Sequence, residues 1–215
     1  TVTLAPGDCA WVMIDGYGGA TCNDLTIEVP CCTAPTSVNA GTDVIICEGQ
    51  SVALNGSISG GLVANGGPTF SWSPINGLSC ANCQSPSAAP TASTTYTLTA
   101  CNDALGTACC LTDQITVNVI PVFLPDAGAD ITACAPSSVL LGGAPTGPNG
   151  SSYSWAVVGP DNPDISISSL NASNPTVSIN SGASGTETYE VTVTNGPCIF
   201  TDQVVVTVGP LAVDA

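Results

Sequence analysis

Asn39-Ala-Gly-Thr-Asp43 and Asp126-Ala-Gly-Ala-Asp130 open two copies of one sequence pattern. Thr112-Asp-Gln-Ile-Thr-Val-Asn-Val119 and Thr201-Asp-Gln-Val-Val-Val-Thr-Val208 close them. Between these ends the copies stay in step. A cysteine follows each opening, Cys47 and Cys134. Then come Ser51-Val-Ala-Leu-Asn-Gly56 and Ser138-Val-Leu-Leu-Gly-Gly143, followed by Phe70-Ser-Trp-Ser73 and Tyr153-Ser-Trp-Ala156. Thr95-Tyr-Thr-Leu98 is answered by Tyr189-Glu-Val-Thr-Val193. Self-similarity at a fixed period marks a repeat architecture, in which each copy is one folding unit. The period is 87 residues, from Asn39 to Asp126.

Within each copy, Val, Ile and Thr alternate with small polar residues. Clusters of Gly, Pro, Asn and Ser interrupt them about every ten residues, as in β-sandwiches. No stretch carries a helical period, and 17 Pro with 23 Gly oppose one. The fold class is therefore all-β, with tandem immunoglobulin-like sandwiches stapled by disulfides. Residues 34–121 and 122–210 are the two repeats, each with room for about seven short strands. Thr1-Val-Thr-Leu4 and Asn23-Asp-Leu-Thr-Ile-Glu-Val29 resemble the last two strands of a repeat. Residues 1–33 thus read as the closing hairpin of a preceding copy plus a linker. Residues 211–215 read as a tail or the start of a next copy. Trp72 and Trp155 occupy equivalent places and are expected in the core, where a sandwich of this kind packs a Trp against an inter-sheet disulfide.

Composition removes several function classes. The chain has no Lys, Arg or His, and its sixteen acids give a formal charge of −16. An average chain of this length carries roughly 25 basic residues. Nucleic acid and anionic membrane surfaces are both held by Lys and Arg, so neither is expected as a partner. Ser–His and Ser–Lys nucleophile schemes are ruled out by residue type, and no motif brings two carboxylates together for acid–base work. No enzyme activity is expected. No apolar run approaches the ~20 residues that a spanning helix needs.

Twelve cysteines without histidine indicate disulfides rather than zinc, hence an oxidising compartment, extracellular or at the cell surface. Side chains on a strand alternate faces, so parity suggests partners. Cys47 and Cys134 are equivalent, as are Cys109 and Cys198. The expected pairs are Cys47–Cys109 and Cys134–Cys198, joining the first strand region to the last. Cys101 and Cys110 face each other across a hairpin, and Cys9 and Cys22 flank the corresponding hairpin of the partial copy. Cys80 and Cys83 clip a loop, while the pairing of Cys31 and Cys32 stays open. Asp126 and Asp130, with Asn39 and Asp43 in the other copy, form a candidate calcium (Ca2+) site, since hard cations gather carboxylate oxygens. The competing reading is a turn before the first strand. No other cofactor is expected.

Taken as a set, the opening Asp-Ala-Gly-x-Asp, the following cysteine, the Ser-Val-x-Leu strand, the Tyr/Phe-Ser-Trp strand and the closing Asp-x-Val-Thr-Val strand resemble the PKD-like immunoglobulin repeats of giant cell-surface proteins of Bacteroidota. That resemblance implies type IX secretion, surface anchoring and a part in adhesion or gliding motility. Under it the chain is a structural stalk segment presenting an adhesive element to an unidentified ligand. Its immediate partners are neighbouring repeats or identical subunits. Two other readings stand beside it: a filament subunit polymerised by strand complementation, and a carbohydrate-binding surface module.

Overall fold

The computed structural model describes residues 35–61, 68–102 and 109–209. The expectations for residues 1–33 and 211–215, and for Cys9, Cys22, Cys31 and Cys32, fall outside them. Every regular element among the described residues is a strand. The chain forms two compact units. Among the described residues, one unit takes those up to Val44 and from Gly49 to Val119, the other Ile45–Glu48 and those from Ile120 onward. The short segment Ile45–Glu48 therefore belongs by sequence to the first repeat and by packing to the second unit.

In the first repeat the strands are β1 (Ser37–Asn39), β2 (Val44–Cys47), β3 (Val52–Ala53), β4 (Ser57–Ser59), β5 (Thr69–Ser73), β6 (Ser87–Ala88), β7 (Thr94–Cys101) and β8 (Cys110–Ile120). A four-stranded sheet runs β2-β8-β7-β5, and the pairs β1-β4 and β3-β6 complete the set. The inward face of β7 and β8 is read directly from their alternation. Tyr96, Leu98, Ala100, Ile115 and Val117 are buried, with Thr and Gln between them left at least partly in water. Trp72 lies opposite Leu98 and is 1 % exposed.

The second repeat contributes β9 (Ile131–Cys134), β10 (Ser137–Leu140), β11 (Ser152–Val158), β12 (Ile165–Ile167), β13 (Thr176–Ile179), β14 (Gly185–Asn195) and β15 (Cys198–Gly209). Its seven strands divide into sheets β11-β14-β15-β9 and β10-β13-β12. Trp155, Leu141, Tyr189, Val191, Val193, Val204 and Val206 belong to one buried cluster with Val177 and Ile179. Trp155 lies opposite Val191, the counterpart of the Trp72–Leu98 register.

Each buried indole satisfies its N–H at a loop carbonyl. Trp72 donates to Cys83 at 3.0 Å, and Trp155 donates to Ala172 at 2.9 Å. Buried tyrosines behave likewise: the Tyr96 hydroxyl donates to the Asn76 carbonyl at 2.7 Å. One feature departs from the alternation rule. Glu187 faces inward on β14 and is 2 % exposed. Its carboxylate accepts from the Tyr189 hydroxyl and from the Asn162 amide. Burial, and then the hydrogen bond to Glu187, push the Tyr189 hydroxyl well above the usual tyrosine range.

Leu141 is fully buried in the second unit's core. Truncating such a side chain removes its transfer energy and leaves a cavity, at a cost of about 2–5 kcal/mol. Urea unfolding of Leu141→Ala, followed by circular dichroism, is expected to show the second unit's unfolding free energy lowered by that amount and its midpoint shifted down accordingly. An unchanged midpoint would mean that Leu141 is not in the core.

Candidate functional site: a carboxylate lacing and a disulfide clasp

The opening and closing motifs of each repeat meet through carboxylate–amide hydrogen bonds. In the first repeat Asp113 Oδ2 accepts from the Ala40 amide at 2.8 Å, and Asp43 Oδ1 accepts from Thr116 at 2.8 Å. In the second repeat Asp202 Oδ2 accepts from Ala127 at 2.8 Å, and Asp130 Oδ1 accepts from Val205 at 2.9 Å. Asn39 and Asp126 each turn back on the amide two residues ahead, Gly41 at 2.7 Å and Gly128 at 2.9 Å. Those glycines sit at φ +104° and +95°, where an L side chain would be strained. The motif Asx-Ala-Gly-x-Asp is thus an Asx turn whose last carboxylate reaches the closing strand. The closing strand's own Asp reaches back to the turn.

The four calcium candidates, Asn39, Asp43, Asp126 and Asp130, each direct an oxygen at a backbone amide. Among the described residues no three His, Cys, Asp or Glu side chains gather as a metal-holding group.

This lacing holds the opening strand parallel to the closing one. Ile131, Thr132, Ala133 and Cys134 register with Val206, Thr207, Val208 and Gly209. Cys134 therefore lies beside the far end of β15, whereas Cys198 begins that strand. Eleven residues of strand separate the two positions, about 36 Å at ~3.3 Å per residue. The expected Cys134–Cys198 bond does not form, and Cys134 is a free, exposed thiol. The expected Cys47–Cys109 bond fails for the same reason. The amide of Glu48, next to Cys47, donates to the Ile120 carbonyl at the end of β8, while Cys109 precedes the start of that strand. Parity failed in the second repeat as well: Cys134 registers with Gly209, an odd number of positions from Cys198, so the two cysteines lie on opposite faces of the sheet as well as at opposite ends of the strand.

Cys47 is instead bonded to Cys198, 151 residues away in sequence. The bond lies within the second unit, where Ile45–Glu48, Ile120–Val122 and the β14–β15 turn form a small clasp. Glu48 donates its amide to Ile120, and its Oε2 accepts from the Val122 amide at 3.0 Å. Asn195 pairs with Cys198, which leaves Gly196 and Pro197 as a two-residue hairpin loop. Gly196 has φ +56°, as the first central position of a tight hairpin requires. A Cβ there would come within 2.9 Å of Ile120 Cδ1. Glycine serves both the turn and the close approach.

Cys109 is also disulfide-bonded, to a cysteine other than Cys47. Cys101 is bonded to Cys110, its cross-strand neighbour. Cys80 is bonded to Cys83, closing the loop whose Cys83 carbonyl receives the Trp72 indole. The second repeat makes the equivalent indole contact at Ala172 without a cross-link. Sequence reasoning missed Asp113, Asp202 and Glu48. The repeated Thr-Asp-Gln was a signal for the first two, because an Asp inside a strand disfavours it unless its carboxylate is engaged.

No family model and no curated protein matches the chain. Among solved structures, the I-band fragment I67–I69 of titin is similar with a TM-score of 0.52 at 12 % identity, covering 83 % of this chain and 67 % of that one. An E-to-A variant of the same three-domain titin fragment gives the same values. A five-domain immunoglobulin segment of Sidekick-1 is similar at 13 % identity with a TM-score of 0.49, covering 83 % of this chain and 39 % of that one. The chain has the fold of tandem immunoglobulin-like domains.

The lacing can be tested by substitution. Ala127 is fully buried, so removing its acceptor leaves a buried amide unpaired, at about 1–3 kcal/mol. Asp202→Ala is expected to lower the stability of the second unit by that amount. Asp202→Asn keeps an acceptor oxygen and is expected to lose less. Equal losses in the two variants, read by urea unfolding, would deny the hydrogen bond its role.

Proposed function

We propose that the chain is a tension-bearing segment of an extracellular immunoglobulin-like repeat protein, a stalk that holds an adhesive element away from a cell surface. The observation that carries this reading is the Cys47–Cys198 bond, which by sequence links one repeat to the next. A bond inside one repeat protects that repeat alone. A bond from repeat to repeat limits how far the whole chain extends when pulled. The absence of cationic side chains fits the same role. Like charges along a stalk oppose compaction and self-association. The disulfides support an oxidising compartment, at the cell surface or beyond. Surface proteins of the Bacteroidota type, exported by type IX secretion and serving adhesion or gliding, are the specific setting that the sequence resemblance supports.

This reading needs neither catalysis nor a metal ion. A carbohydrate-binding role draws no support from the described residues. Their tryptophans are buried and none of their other aromatic rings is exposed.

Single-molecule pulling on the chain, tethered at its two ends, tests the reading. With the bond intact, the residues between Cys47 and Cys198 bear no load. Adding a reductant is expected to lengthen the fully extended chain by about 500 Å, at ~3.4 Å for each of the 151 residues of separation. The same length with and without reductant would overturn the tension-bearing role. Regular fibres of the oxidised protein under the microscope would favour the filament reading instead.

A further inference from the structure

Cys134 occupies the place in the second repeat that Cys47 occupies in the first. Both end the opening strand after an Asx-Ala-Gly-x-Asp turn, and both lie beside the far end of the closing strand. Cys47 is bonded to the hairpin cysteine of the repeat that follows it in sequence, Cys198. Cys134 is exposed and free. It lies about 36 Å along β15 from Cys198, at ~3.3 Å per residue, which excludes an internal bond. The equivalent residue in this same chain thus shows what the position binds.

We propose that Cys134 is the donor half of a second clasp, forming a disulfide with the hairpin cysteine of a further immunoglobulin-like repeat of this type. The partner is defined by its chemistry. It presents a cysteine where Cys198 stands, at the start of a closing strand and just after a two-residue Gly-Pro turn. Glycine at the Gly196 position lets the donor strand approach closely, as it does at Ile120. Bond formation joins two thiols, which lose two protons and two electrons to a small-molecule disulfide. That oxidant is reduced to two thiols. The result is an array in which each opening strand is covalently tied to the next repeat. The partner's identity rests on the repeat-array reading, while the bonding position rests on the internal equivalence alone.

The test uses a Cys47→Ser copy of the full chain as the partner, since that substitution leaves Cys198 without its internal disulfide partner. Wild-type chain and this copy are mixed in reduced and oxidised glutathione, and the products are mapped by mass spectrometry without reduction. The expected product is a heterodimer linked Cys134–Cys198, at least tenfold more abundant than Cys134–Cys134 dimers. Cys134→Ser in the wild-type partner is expected to abolish it. A symmetric Cys134–Cys134 dimer as the main species, or no dimer, would overturn the proposal. Should Cys47→Ser not fold by circular dichroism, wild-type chain alone gives the second readout. There the Cys134 thiolate of one copy attacks Cys198 of another and releases Cys47 as the leaving thiolate. Cys134–Cys198 dimers with a released Cys47 thiol are expected, and their absence at equilibrium would contradict the proposal. Failure here with the reductant-dependent lengthening intact would remove the second clasp and leave the stalk standing.

Discussion

Sixteen carboxylates and no cationic side chain force the fold to find other partners for its acids. Backbone amides are the available donors, and a carboxylate accepting from an amide makes a charge-assisted bond stronger than a neutral one. Asp113 and Asp202 meet the amides of Ala40 and Ala127, and Asp43 and Asp130 meet those of Thr116 and Val205. These bonds fix the opening strand parallel to the closing strand. The parallel register then decides where each cysteine lies. With Cys47 and Cys134 carried to the far ends of β8 and β15, the repeat's own hairpin cysteine is out of reach. The cross-link between successive repeats in sequence follows from that displacement.

Much of the fold was legible in the sequence. The periodic motifs defined two copies, the apolar alternation defined their inner faces, and Trp72 and Trp155 marked equivalent core positions. Cys101 and Cys110 could be paired because a hairpin places close sequence neighbours at the same height. What could not be read was height along a strand for residues far apart. Side-chain parity holds within one strand and carries to a distant strand only once the register is known, so it fixed neither the height nor the face of Cys134 relative to Cys198. The hydrogen-bond partners of the acidic motif were hidden for a related reason. Its amide partners sit some seventy-five residues away, from Asp130 to Val205 and from Asp202 to Ala127, and no local pattern announces them. Glu187 was hidden because the residues that accommodate it, Asn162 and Tyr189, are recognisable only once β14 has been placed.

The same features suit the mechanical part proposed for the chain. Immunoglobulin-like arrays need their repeats held in sequence, by linker stiffness, by metal ions or by covalent bonds. Here a strand of one repeat ends in a cysteine that bonds within the following unit. Gly196 beside it lets Ile120 and Ile45 approach closely.

The central claim is that the disulfide joins successive repeats rather than the two ends of one. Digestion of unreduced protein with chymotrypsin, after alkylation of free thiols, tests it most directly, because the chain offers no site for trypsin. The account requires a linked peptide pair carrying Cys47 and Cys198, with Cys134 alkylated. Linked pairs carrying Cys47 with Cys109, and Cys134 with Cys198, would contradict it.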